Sequence, residues 1–376
     1  MQKYLSRCRR ALHQIPEVDF ALPKTLQYLK QELEPLGFYL FSPVESSLCA
    51  WIDAGKSEAV AFRADMDALP TSEKNECAYR SAHEGKMHAC GHDGHMAMVL
   101  GLAQCLAQKK DRLQTNVLLV FQPAEETTGG AKLICESGVF EQYHVREIYG
   151  FHLWPGFAAG QIVSRPGPLL AKASEVTVTV HGKAAHIARA EEGRDALMAA
   201  ARFLTVMQQR METEFCPQEP CLLRFGKMES GAARNAVSAQ TLILGTVRVF
   251  SKEMFTAVRA AALETAKEIE AQTGCTFEID FTEGYPPVVN APALWEKAVK
   301  MLPSVQTLKE PLLIAEDFSF YQERLPGLFF LLGTGREVPL HSDRFDFDEI
   351  ALSAGLDVYL TLLGLKDERQ HHTIHS

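Results

Sequence analysis

No Cys-x-x-Cys pair occurs anywhere in the chain. That absence argues against a closed structural zinc site, which usually draws on such pairs. No window approaches the ~20 consecutive apolar residues of a membrane span. The opening stretch, Met1-Gln2-Lys3-Tyr4-Leu5-Ser6-Arg7-Cys8-Arg9-Arg10, lacks the apolar centre of a signal peptide. Positive charge is not in excess either: 38 Lys and Arg face 47 Asp and Glu, for a net charge of −9. An acidic balance argues against nucleic acid and anionic membrane as partners. Gly333-Thr334-Gly335 lacks the longer glycine pattern of a phosphate loop. The nine cysteines are odd in number and form no framework, so reduced thiols and a cytoplasmic location are expected. At 376 residues the chain is long for one core, and two domains are expected.

What is present concentrates in Met87-His88-Ala89-Cys90-Gly91-His92-Asp93-Gly94-His95, which packs three imidazoles and a thiol into nine residues. Imidazole and thiolate are borderline-soft ligands for zinc, manganese, nickel or cobalt sites. The glycines let the backbone turn so that Cys90 and His92 converge. Asp93 stands where a helix would start, before the apolar run Met96-Ala97-Met98-Val99-Leu100. A lone His or Cys is usually only packed or exposed, so the remaining ligands have to come from elsewhere in the chain.

Leucines at helical spacing predict two helices before residue 36. Strands are expected at 47–52 and 58–64, the second running into Asp65-Met66-Asp67. A helix over 94–109 precedes strand 116–121, which exits at Gln122-Pro123-Ala124-Glu125-Glu126. After a helix over 131–137, strand 147–151 exits at His152-Leu153-Trp154-Pro155. Three strand ends therefore offer Asp65 and Asp67, Glu125 and Glu126, and His152, where α/β sheets place their chemistry. From about 173 the pattern becomes strand-helix-strand-strand-helix-strand, a ferredoxin-like unit. Residues 174–284 are thus expected as an α+β domain inserted into a mixed-sheet α/β/α domain made of 1–173 and 285–376. A buried strand over 327–333 leads towards His341, while His371, His372 and His375 carry no usable spacing.

Cys90, His92, Glu126, His152 and His341 are too many ligands for one tetrahedral ion but suit two ions sharing a bridge. Cys90, the soft anion of the set, is the natural bridge. Adjacent glutamates at a strand exit point in different directions, so Glu126 is assigned to metal and Glu125 to general base. That chemistry is amide hydrolysis. Alone, a Glu-Glu pair would be a solvated acidic loop, and His152 or His341 a satisfied surface histidine.

The chain resembles the aminoacylase and hippurate hydrolase branch of the di-metal amidohydrolase/peptidase superfamily (metallopeptidase family 20, subfamily D). That branch also holds N-acetyldiaminopimelate deacetylases and auxin-conjugate hydrolases. The matching stretches are Arg63-Ala64-Asp65-Met66-Asp67-Ala68-Leu69-Pro70, His88 to His95, Gln122 to Glu126, His152 to Pro155, Ala315-Glu316-Asp317-Phe318 and Leu340-His341-Ser342. The resemblance implies the same ligand set, with Glu125 as base. It further implies that the inserted domain is a lid that mediates homodimerisation or higher assembly and delivers a histidine to the scissile carbonyl. Gly182-Lys183-Ala184-Ala185-His186 matches that stretch, making His186 the oxyanion or substrate-binding residue. Arg234-Asn235-Ala236-Val237 resembles the lid stretch whose Asn contacts substrate. The chain departs from the family at Ala190-Glu191, where Pro-His is common; an acid there would change which substrate tail is accepted. The expected activity is metal-dependent hydrolysis of N-acyl amino acids, acetyl or aromatic acyl, with two divalent ions. Three alternatives stand beside it: a dipeptidase with the same site, a silent metal-stabilised ligand-binding dimer, and a thiol enzyme built on Cys90.

Overall fold

In the computed structural model, which describes residues 1–366, the chain divides into two compact units. His371, His372 and His375 lie outside the described residues. The first unit comprises Met1–Leu169, Val289–Lys309 and residues 317–366. The second comprises Leu170–Val288 and Glu310–Glu316. The expected insert, 174–284, falls wholly within the second unit, which also takes 170–173, 285–288 and Glu310–Glu316.

The first unit is built on an eight-stranded mixed sheet. Its order is Tyr39–Phe41, Leu48–Ile52, Asn116–Gln122, Ala59–Asp65, Val145–Trp154, Gly327–Gly333, Ile162–Ser164 and Gln306–Thr307. The four strands from Asn116–Gln122 to Gly327–Gly333 run parallel, in register along Ala59↔Asn116, Val60↔Glu147 and Phe330↔Phe151. Ala59–Asp65, Asn116–Gln122 and Gly327–Gly333 are buried at every position, as central parallel strands must be when both faces are covered. Parallel pairing also sends all four carboxyl ends to one edge, which is the edge that carries the ligand candidates.

Helix His92–Lys109 is buried at all but four of its 18 positions. It packs against Gln2–His13 and Ile350–Leu362 and against strand Ala59–Asp65. It starts two residues earlier than its apolar run predicts, because Gly91 serves as the N-cap in a left-handed conformation (φ 88°). A side chain at Gly91 would be strained there and its Cβ would lie 2.8 Å from Leu153 Cδ1. His92 is therefore held in the first helical turn. Strand Val145–Trp154 runs past the expected 147–151, so His152 sits within the strand and not beyond it. The extension follows from parallel pairing with Gly327–Gly333, which continues to Gly333↔Trp154. The strand Tyr39–Phe41 and the two-residue strand Gln306–Thr307 are too short to show a period, and neither was expected.

The second unit holds a four-stranded antiparallel sheet in the order Thr276–Phe281, Lys172–His181, Gln240–Val249, Leu222–Ser230. With helices Ala196–Arg210 and Lys252–Thr273 this is the expected ferredoxin-like order, fourth-first-third-second. Val176, Val178 and Val180 alternate inward and meet Phe203 and Val258 from the two helices in one core. Caps fix both helix starts: Asp195 accepts the Leu197 N–H, and Ser251 accepts the Met254 N–H. Among the described residues, no helix is long and apolar enough to cross a membrane.

Candidate metal centre

Four segments of the first unit bring the expected ligands to one place. Cys90 Sγ lies 3.3 Å from His152 Nε2 and 3.5 Å from His341 Nε2. Glu126 Oε1 lies 3.3 Å from His341 Nε2 and 3.9 Å from His92 Nε2. Glu125 Oε2 stands 4.0 Å from His92 Nε2. Candidate ligand atoms fall within 4.8 Å of one another in overlapping groups: Cys90, His92 and His152; Cys90, Glu126 and His341; His92, Glu125 and Glu126. Each pair of these groups shares one residue, Cys90, His92 or Glu126.

The imidazoles are aimed by backbone carbonyls. His92 Nδ1–H donates to the Asp67 carbonyl (2.8 Å) and His152 Nδ1–H to the Leu153 carbonyl (2.7 Å). A carbonyl only accepts, so in both rings Nδ1 carries a proton, and in the neutral form of each ring the Nε2 lone pair faces the centre. His341 enters from a loop with left-handed backbone (φ 65°), fixed where its N–H reaches the Ala89 carbonyl at 2.9 Å.

The glutamate turn is equally constrained. Ala124 adopts φ 57°, a left-handed conformation that costs a non-glycine residue about 1–2 kcal/mol. The Asp67 carboxylate accepts the N–H groups of both Glu125 (2.9 Å) and Glu126 (3.0 Å). Hydrogen bonds to a charged group contribute about 1.5–3 kcal/mol each, enough to offset the strain. This turn is what sends neighbouring glutamates to different positions in the centre.

The donor set fits divalent cations on electrostatic grounds as well. Among the described residues, His92 Nε2 and Glu126 Oε1 are buried and form no hydrogen bond, although Glu126 faces His341 as an ion pair; that is an expensive state for polar atoms. Burial pushes the His92 imidazole down, but Asp65, Asp67 and Glu126 outweigh it and hold it up at about 10. Burial likewise opposes charge on Glu126, yet the His341 and His92 imidazoles bring it down to about 2. Burial, Glu126, Glu125 and Asp65 together push the Cys90 thiol well up. Burial and His95 pull His152 down to about 3. With no ion bound, the carboxylates of the centre favour a proton on His92 and on His341, and divalent cations would take the place of those protons.

Two buried groups in the same region play other parts. His95 Nδ1–H donates to Asp65 (2.6 Å), while its Nε2 accepts the Leu153 N–H (2.9 Å). Its two nitrogens thus tie Asp65, at the end of one strand, to the strand that carries His152. Asp65 is held in turn by Arg63 at 2.6 Å, and Arg63 also pairs with Asp317 at 2.7 Å. His88 is buried, belongs to none of the ligand groups among the described residues, and packs against the His13 ring. The sequence marks Asp65 and Asp67 as strand-end acids without giving either a role. Their alternate spacing after Arg63 was the signal; the partners, the His95 ring for Asp65 and two glutamate N–H groups for Asp67, are distant in the chain.

His186 and Asn235 lie in the second unit, both exposed, on two loops bonded to each other. Ile187 N–H reaches the Asn235 carbonyl (3.0 Å), and Val237 N–H the Ala185 carbonyl (2.8 Å). His186 Nδ1 accepts the Ala188 N–H at 3.2 Å. A neutral His186 therefore carries its proton on Nε2, which is left as a donor.

Residues 61–364 match the model of peptidase family M20/M25/M40, and the chain belongs to that family. Proteins named as uncharacterized hydrolases from Staphylococcus aureus (strain bovine RF122 / ET3-1) and Staphylococcus haemolyticus (strain JCSC1435) are each 33% identical to it, over 96% of this chain and 97% of theirs. The solved structure of a dinuclear metal binding peptidase of the M20 family from Bacillus subtilis superposes with a TM-score of 0.85 at 29% identity, covering 96% of this chain and 97% of that one. An aminopeptidase from Bacillus cereus shares the fold, with a TM-score of 0.76 at 16% identity over 96% and 98% of the two chains. The protein is a hydrolase of the M20 class, which sets aside the silent ligand-binding alternative.

Proposed function

We propose that the chain hydrolyses the amide bond of N-acyl amino acids at a two-metal centre. The observation that carries this reading is the convergence of Cys90 Sγ, His92 Nε2, Glu126 Oε1, His152 Nε2 and His341 Nε2, with the Glu125 carboxylate beside them, 4.0 Å from His92 Nε2. Cys90 would bridge, and His92, His152, His341 and Glu126 would complete the two coordination spheres. Two divalent ions, when bound, supply Lewis acidity that polarises the carbonyl and lowers the pKa of the attacking water. Glu125 takes a proton from that water and returns it to the leaving nitrogen. His186, through Nε2–H, donates to the carbonyl oxygen as negative charge develops there, from its own chain or from a partner's. Asn235 holds the substrate. In this reading the second unit is a lid through which the chain forms a homodimer or higher assembly, and 174–284 is an insertion into the catalytic domain.

A thiol nucleophile on Cys90 is disfavoured, because a reactive cysteine needs a lowered pKa and this one is buried and pushed up. Metal analysis coupled to a substrate panel tests the reading. Chelated protein should be inactive and regain activity with zinc, manganese, nickel or cobalt, on acetyl- or benzoyl-amino acids. Dependence on a free α-amine would instead identify a dipeptidase. Cys90→Ala should hold fewer than two ions per chain; full occupancy and full turnover in that variant would remove the bridge from the scheme.

A further inference from the structure

The second unit carries a pair of cysteines that hydrolysis does not use. Helix Ala196–Arg210 ends in a wide turn, Met211–Phe215, in which the Cys216 N–H reaches back to the Met211 carbonyl at 2.8 Å. Cys216 then opens the loop Cys216-Pro217-Gln218-Glu219-Pro220-Cys221, which leads into strand Leu222–Ser230. Cys216 Sγ lies 3.3 Å from Cys221 Sγ and 3.4 Å from the Cys221 carbonyl. The loop is held at several points. The Phe215 carbonyl accepts the N–H groups of Gln218 and Glu219. The Glu219 carboxylate accepts the Phe250 N–H and the Ser251 hydroxyl, both at 2.9 Å. Two prolines limit the backbone further.

Packing accounts for Cys221, which is buried in the core of this unit. It does not account for Cys216, which among the described residues is the one exposed cysteine. We propose that Cys216 and Cys221 are a reversible dithiol, closing to an intraloop disulfide by exchange with a low-molecular-weight disulfide. Cys216, as the accessible thiol, loses its proton and attacks one sulfur of the small disulfide; that S–S bond breaks and one small thiol leaves with the proton. Cys221 then attacks Cys216 Sγ, the mixed S–S bond breaks, and the second small thiol leaves with the Cys221 proton. The two protein thiols are oxidised and the small disulfide is reduced to two thiols. Burial and the neighbouring Cys216 push the Cys221 thiol up to about 12, which leaves the first attack to Cys216; the second step rests on the 3.3 Å between the two sulfurs. The sulfurs need to close by only about 1.3 Å to reach bond length, and their backbone is already fixed. Held reactants in one loop outcompete a second molecule of the small disulfide.

Trypsin cleavage after Arg210 and Arg224 would release both cysteines on one peptide, Met211–Arg224, which contains no other cysteine. Full-length protein is incubated with oxidised glutathione, quenched with acid, alkylated with iodoacetamide and digested. The expected peptide is two hydrogens lighter, has lost both alkylation sites, and recovers them after dithiothreitol. Cys221→Ser should stop at glutathione on Cys216, and Cys216→Ser should leave Cys221 free for alkylation. Circular dichroism confirms that both variants are folded. A wild-type peptide with two alkyl groups, or one that stops at the glutathione adduct, would overturn the proposal.

Discussion

The two units hold most of their candidate residues in opposite ways, His341 of the first being exposed on a loop. In the first, Cys90, His92 and His152 are buried, and each imidazole is tied to a carbonyl. In the second, His186 and Asn235 are exposed, on loops that bond mainly to each other. The difference matches the tasks assigned to them. A metal centre needs donors fixed within a fraction of an ångström, which parallel strand ends and a buried helix supply. Substrate-contacting groups can ride on adaptable loops raised on an antiparallel sheet. Damage should therefore read differently in the two places: loss of metal or of the proton shuttle in the first, loss of rate with metal intact in the second.

The sharpest test of that contrast is Glu125→Gln. It keeps the shape and removes the base, so turnover should fall by about 10²–10⁴-fold with metal content unchanged, as read by elemental analysis beside kinetics. Metal loss in this variant would exchange the roles of the two glutamates. Next, His186→Ala should lower kcat by about 10²–10³-fold while both ions stay bound. A drop in metal content there would erase the proposed division of labour. Asp67→Ala removes the carboxylate that fixes the Glu125–Glu126 turn, and should weaken metal affinity or activity by about 10–100-fold.

The smallest effect concerns stability behind the centre. His13 donates to Asp93 at 2.7 Å and faces Glu73 at 3.2 Å, all three buried. Burial pulls His13 down, but Asp93 and Glu73 outweigh it and raise it to about 9. Its folded pKa lies above the unfolded value of about 6.5, so its contribution, on the order of 3 kcal/mol, is complete below pH ~6.5 and lost as pH rises through 9. Urea unfolding of His13→Gln should differ most from wild type at pH 6 and least near pH 10. An equal difference at both would mean that the His13 charge contributes nothing.

Much of the centre was legible because its chemistry is local. Cys90 and His92 announce themselves by spacing, and Glu125–Glu126 by the strand that precedes them. The ferredoxin-like unit was legible from its alternation, since half-exposed strands such as Lys172–His181 keep a clean period of two. The rest depended on partners far along the chain. His95 looks as good a ligand as His92; only its bonds to Asp65 and to the Leu153 N–H make it a support. The reach of the His152 strand came from pairing with residues 327–333, and the early start of the His92 helix from the left-handed Gly91. Short strands and positive φ at Ala124 and His341 leave no periodic trace.

The tethering of His92 and His152 through Nδ1 has a further bearing on ion choice. A ring whose far side is anchored cannot flip to offer its other nitrogen, nor swing outward to follow a larger ion. Ions that demand longer bonds or more ligands would have to distort strand and helix ends to be accommodated. In the proposed centre the orientation of these two rings is thus set when the polypeptide folds, before any ion would arrive.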